Sequence, residues 1–164
     1  MFTKSRIALF TLLITVFLLL TGCVGSFGAD QVAAVDSSVV STAMHYVDGS
    51  TKGPVYNVSL AVPDAWVGQF TTRNVGNTVT FSYTPSEGES KLIFTIEALS
   101  PTQYWQASGS YPASQTNIVN LSDTYFVYHL PIDTFYSGLS QEQFLTFAEA
   151  VPDIVASFSA VAAE

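Results

Sequence analysis

From residue 38 onward, large apolar side chains recur at every second position in short runs bounded by Gly, Pro, Asn, Asp or Ser. Tyr56, Val58, Leu60 and Val62 alternate with Asn57, Ser59 and Ala61, and Val79, Phe81 and Tyr83 alternate with Thr78, Thr80, Ser82 and Thr84. A period of two with small hydroxyl residues on the second face predicts half-buried strands of an antiparallel sheet that keeps one face wet. Residues 91–99 continue the pattern, with Leu92, Phe94, Ile96 and Ala98 expected on one face. Val75-Gly76-Asn77 predicts a hairpin turn after a strand at 69–73, and residues 85–89 a second turn. Strands at 116–121 and 124–130 flank a third turn at Ser122-Asp123. Residues 39–47 read as a further strand, and residues 48–53, with Gly49 and Gly53, as a loop.

Twice the period changes to that of a helix. Ser100 before Pro101 reads as an N-cap with proline at the first helical position. Ser140-Gln141-Glu142-Gln143 matches a capping box. Phe144, Phe147, Val151, Ile154 and Phe158 then recur at intervals of 3, 4, 3 and 4, one apolar stripe along a helix. Pro152 removes an amide donor from that helix, yet the stripe keeps its phase, so a kink or brief restart is expected. The fold class is therefore α+β: an antiparallel β-sheet packed by helices, with a long C-terminal helix.

The start of the chain follows a different logic. Lys4 and Arg6 precede an apolar run at residues 7–20, interrupted only by Thr11 and Thr15. As a helix this run spans roughly 21 Å, short of the roughly 30 Å hydrocarbon core, which suits a signal peptide better than a transmembrane helix. Leu20-Thr21-Gly22-Cys23 follows directly and resembles the lipobox of bacterial lipoproteins. That resemblance implies cleavage before Cys23 and a diacylglyceryl group, with palmitate-type acyl chains, on its sulfur. Two such chains hold a protein on a bilayer stably. The organisation expected is a signal peptide at 1–22, a lipidated N-terminus and flexible tether at 23–37, and a single α+β domain at 38–164. Cys23 is the sole cysteine, so no disulfide can staple the secreted domain, which must rely on its core.

Charge narrows the functional classes. Without residues 1–22, the basic residues are Lys52, Arg73 and Lys91 against 13 acidic ones, a formal charge of 3 − 13, or about −10. Such a surface argues against nucleic acid, whose backbone demands basic groups, and against adhesion to anionic lipid headgroups. Glu87, Glu89, Asp133, Glu142 and Asp153 are scattered and form no calcium loop. His45 and His129 fall in different strands, and without a free cysteine only carboxylates could complete a metal site, so neither metal nor cofactor is expected. No Gly-x-Ser-x-Gly elbow occurs, and no catalytic residues are assigned. Tyr104, Trp105, Tyr111, Tyr125, Tyr128 and Tyr136 could stack on sugars or dock peptides, although Trp105, Phe126 and Tyr128 read as core. Asn57-Val58-Ser59 and Asn120-Leu121-Ser122 match the eukaryotic glycosylation acceptor, which carries no weight behind a bacterial lipobox.

The order of elements resembles the PsbP-like sandwich, an antiparallel sheet packed by helices that recurs in small bacterial lipoproteins. The matching residues are 60–66, from Leu60 through Pro63 to Trp66; Phe81 to Tyr83; Lys91 to Glu97; Tyr104-Trp105; and Ile154 to Phe158. The resemblance covers roughly residues 55–161 and implies a fold more than a function. The expectation is a membrane-anchored protein on the extracytoplasmic face, a non-enzymatic interaction or accessory module of the cell envelope with a protein partner. The alternative is a binding module for a small ligand such as a glycan or peptide, which should show a concave pocket lined by exposed rings.

Overall fold

A seam of aromatic rings lies between two layers of secondary structure, and the elements are arranged to close over it. A computed structural model describes residues 30–86, 88–109, 115–131 and 138–164. The signal segment, Cys23, Glu87, Tyr111, Asp133 and Tyr136 lie outside the described residues.

In chain order the elements are β1 (Gln31–Ala34), β2 (Val39–Met44), β3 (Val47–Asp48), β4 (Thr51–Lys52) and β5 (Tyr56–Ala61), then a 3-10 turn (Asp64–Trp66). There follow β6 (Phe70–Asn74), β7 (Thr78–Tyr83), β8 (Lys91–Leu99), α1 (Pro101–Ser108), β9 (Thr116–Asn120), β10 (Tyr125–His129), α2 (Gln141–Ala156) and β11 (Ser159–Ala162). The larger sheet has six strands in the order β1-β6-β7-β8-β10-β9, and a three-stranded sheet has the order β11-β5-β2. Every strand pair is antiparallel. The α+β class with its antiparallel sheet and C-terminal helix is therefore present.

The alternation read from the sequence sets the inner face. Val79, Phe81, Phe94, Ile96, Ala98 and Phe126 are all buried, and Phe81 pairs across strands with Phe94, their rings stacked at 4.4 Å. Pro63 opens the 3-10 turn that drops Trp66 into the core, where it stacks on Phe70 at 3.9 Å. From α2, Phe147 sets its edge against Trp66 and Phe70 at 6.0 and 5.2 Å and meets Tyr83 at 5.0 Å. Phe144, Val151 and Ile154 complete the buried stripe. From the three-stranded sheet, Tyr56 meets Phe126 edge-on at 5.7 Å. Its hydroxyl donates to Asp123 Oδ1 at 2.7 Å, and burial, reinforced by that carboxylate, raises the Tyr56 pKa. Ser140 opens its helix with the capping box its sequence predicts, and Ser100, expected as an N-cap before Pro101, also forms a capping box, with Gln103.

Several expectations need correction. Residues 31–35, expected within the tether, belong to the folded domain, since Gln31–Ala34 pair with β6 and Val35 is buried. The loop at 48–53 contains a small hairpin, β3 with β4, turned by Gly49 at φ 59°. The long helix ends at Ala156, where Ser157 caps it, and the chain returns as β11 beside β5. Phe158 therefore lies beyond the helix and packs on Phe126 at 5.1 Å. Ser82 pairs with Leu92 while Phe81 pairs with Phe94, so Ile93 is an extra bulged residue and Leu92 falls on the face opposite Phe94. The α2 helix runs on through Pro152, which is exposed, so the Ala148 carbonyl that loses its donor can turn to water.

Phe147 is half-buried yet touches three rings, so Phe147→Ala should lower unfolding free energy by about 3 kcal/mol in denaturant titration. Gln141, exposed on the same helix, should tolerate alanine within about 0.5 kcal/mol. Equal small effects would mean that α2 is not fastened by this seam.

Candidate functional site: the outer face of the six-stranded sheet

With most apolar residues of β6, β7 and β8 turned inward, their second face carries mainly hydroxyls and charges, joined by Leu92 and the buried Leu99. The strand registers set these side chains in rows. Arg73, Thr80, Thr95 and His129 lie opposite one another across β6, β7, β8 and β10. Thr78, Glu97, Val127 and Asn117 form the next row, and Leu99, Tyr125 and Asn120 the one after. His129 and Glu97 sit one row apart on neighbouring strands and meet diagonally, Nε2 to Oε2, at 3.2 Å. Their side chains are 27% and 30% exposed, so the pair faces water, where its attraction is modest. Arg73, near the other edge, is paired with Asp30 at the foot of β1. That bond holds the Asp30 carboxyl below its ordinary range and raises the Arg73 guanidinium.

The α1 helix leaves the end of β8 and is fixed at its start. The buried Ser100 hydroxyl donates to Asp48 Oδ2 at 2.6 Å, and Gln103 Nε2 donates to the Val47 carbonyl at 2.8 Å. Tyr104 stacks on Tyr125 of β10 at 4.5 Å, and Trp105 meets Tyr104 edge to face at 5.3 Å. Trp105 itself is 65% exposed. The expectation that it belongs to the core is overturned, because a one-sided helix whose inward positions are Tyr104 and Ala107 leaves the intervening ring in water. Phe126 is fully buried as expected, and Tyr128 is half-buried against the core.

The two histidines have different fates. His45, just past β2, is only 8% exposed and sits at the joint between the two sheets. Its N–H donates to the Gly76 carbonyl at 3.0 Å, and its ring lies 3.1 Å from where a Cβ of Gly76 would stand. Gly76, at φ 92°, satisfies both the left-handed turn and this close approach. Asn74 reinforces the joint: its Nδ2 donates to the Ala43 carbonyl at 2.9 Å and to the Thr42 hydroxyl, while its Oδ1 accepts the Gly76 N–H at 2.6 Å. Burial first, and the Lys52 charge second, lower the His45 pKa. Among the described residues, no cluster of three or more His, Cys, Asp or Glu could hold a metal ion.

A shallow open depression of about 500 Å³ lies on the outer side of the three-stranded sheet, lined by Ser41, Thr42, Ala43, Asn57, Val58, Ser59 and Val161. It contains no aromatic ring. Among the described residues no helix is long and apolar enough to cross a membrane. Comparison with protein-family models, curated proteins and solved structures finds no match.

A lowered histidine pKa has a defined consequence for stability. Above about pH 6.5, His45 is neutral in both folded and unfolded chains and contributes no pH dependence. Below that, the unfolded chain takes up the proton more readily, so the native state loses stability until the pH passes the lowered folded value. The wild-type melting temperature should fall between pH 7 and pH 5, and His45→Gln should flatten that part of the profile. Identical slopes in the two proteins would remove His45 from the account.

Proposed function

We propose that the protein is a lipid-anchored module on the extracytoplasmic face of the cell membrane, serving an envelope assembly by presenting a binding surface rather than by catalysis. The observation that carries this reading is the apolar run ending in Leu20-Thr21-Gly22-Cys23, placed eight residues before the first strand at Gln31. Eight residues reach at most about 29 Å, so a lipid on Cys23 would keep the β1 edge of the sheet close to the bilayer. Val35, buried beside Phe70, and the Arg73–Asp30 pair are the points at which that edge is fastened to the domain.

The described domain supports a presenting role. Its histidine–carboxylate pair is partly open to water, 27% and 30% exposed, where solvent weakens acid–base chemistry relative to a closed cleft. The depression on the three-stranded sheet has no rings to grip a small molecule. A protein partner within the envelope, reached by the polar face of the sheet, fits this reading. The resemblance to PsbP-like sandwiches rests on the sequence segments at residues 55–161, and an antiparallel sheet with a C-terminal helix is in keeping with it.

Growth with a labelled palmitate precursor tests the anchor. Wild-type protein should carry the label and partition into detergent, while Cys23→Ser should lose it and accumulate as an unprocessed precursor of higher mass. A Cys23→Ser protein still cleaved after Gly22 and still detergent-partitioning would refute the lipoprotein reading.

A further inference from the structure

We infer that the outer face of the three-stranded sheet is a self-association surface, on which a second copy of this chain packs about a two-fold axis running along β5. The strand registers define the face. Ala43, Asn57 and Val161 lie opposite one another in one row, and Ser41, Ser59 and Ser159 in the next. Val39 and Ala61 begin the third row, which Ser157 closes by accepting the Ala61 N–H. The alternate residues Tyr56, Val58 and Leu60 are buried, so these rows are the side turned away from the core.

Side-chain size across this face matches its own copy. Val161 and Val39 stand at opposite corners, 64% and 55% exposed, while the other outward positions hold alanine, serine and the one amide of Asn57. The shallow depression of about 500 Å³ spans Ser41, Ala43 and Ser59, beside Val161. A two-fold axis along the central strand exchanges β2 with β11 between the copies. It lays Val161 of each copy over Ala43 of the other, at the depression, and Val39 over Ser157. On the axis Asn57 meets its own counterpart, and two amides so placed exchange reciprocal N–H to C=O bonds. Each protruding valine thus finds a small side chain, and the sheets can approach to the roughly 10 Å of packed β-layers.

Charge selects the same occupant. The outward residues of the three rows carry no charge, in a chain with 13 acidic and five basic residues. A basic partner would be drawn to acidic surfaces such as the exposed Glu142, Glu149 and Asp153 of α2. Two acidic copies, by contrast, meet most readily where neither has to bury a carboxylate. Three strands six residues long give a footprint of roughly 300 Å², against about 800 Å² per partner in a standard interface, so the pair is weak and dissociates on dilution. Copies held on one membrane meet at a far higher effective concentration. That setting rests on the anchor reading above, but the self-complementary face does not.

Site-directed crosslinking tests the pairing in membranes of cells that make the full-length chain. Each reporter also carries Cys23→Ser, so its thiol is unique and the outcome does not depend on whether Cys23 is lipidated. Asn57→Cys, on the axis, should give at least ten-fold more dimer with a short bismaleimide than Gln141→Cys, which is exposed on α2 and reports chance collision. Adding Val161→Lys to Asn57→Cys should lower the dimer yield at least five-fold. Val39→Lys should do the same, and it carries the test if Val161→Lys does not fold. Both valines are exposed, so neither change opens the core. Equal yields from residues 57 and 141, an adduct with a different protein in place of the dimer, or a yield that the lysine substitutions leave intact would overturn the proposal.

Discussion

Everything in this fold depends on the contact of Phe147 with the Trp66–Phe70 stack. A chain with a single cysteine, Cys23, has no internal disulfide to restrain it, and its stability must come from apolar burial. The seam brings together residues distant in sequence: the 3-10 turn, β6, β7 and α2 all contribute a ring. Because the rings meet edge-on or stacked, their geometry fixes orientation as well as proximity. Once α2 is seated, Ser157 at its end accepts the Ala61 N–H at 2.8 Å, and the chain is delivered beside β5 to form β11. The smaller sheet is thus completed by a strand that only the docked helix can place.

Turning most large apolar side chains to one side leaves the other face of the sheet largely polar over β6 and β7, while Leu99 and Val127 are buried on it over β8 and β10. Thr71, Thr80, Ser82 and Thr95 are half-buried there, a solvated layer with few charges. What lies on this face owes its arrangement to strand register: His129 reaches Glu97 because β10 and β8 pair as they do. The α1 helix sits at one end of the same layer, held by β3, a two-residue strand whose other role is to close a hairpin. Small elements therefore fix the exposed ring, while the large core fixes the sheet under it.

Much of this was legible in the sequence. The alternations at 56–62 and 78–84 identified β5 and β7 and their buried faces, and the Ser100-Pro101 N-cap and the Ser140 capping box marked the two helix starts. What escaped was set by tertiary contact. The β1 strand has four exposed residues without periodic signal and exists because β6 offers it an edge. The Ile93 bulge is invisible in an apolar run in which either face could be the buried one. Trp105 read as core because tryptophan usually is, and only the stacking of Tyr104 on Tyr125 settles which ring of the pair goes inward. The Glu97–His129 pair could be narrowed to the polar faces of two strands, but their pairing register is not written in either strand alone.

Native-state amide hydrogen exchange tests the central claim, that the aromatic seam organises the domain, most directly. If α2 is seated by the seam, amides of Val151 and Ile154 should exchange only with global unfolding, as slowly as those of β7 and β8, while α1 and β1 open earlier. Exchange of the α2 amides through local opening, at rates like those of α1, would contradict the account.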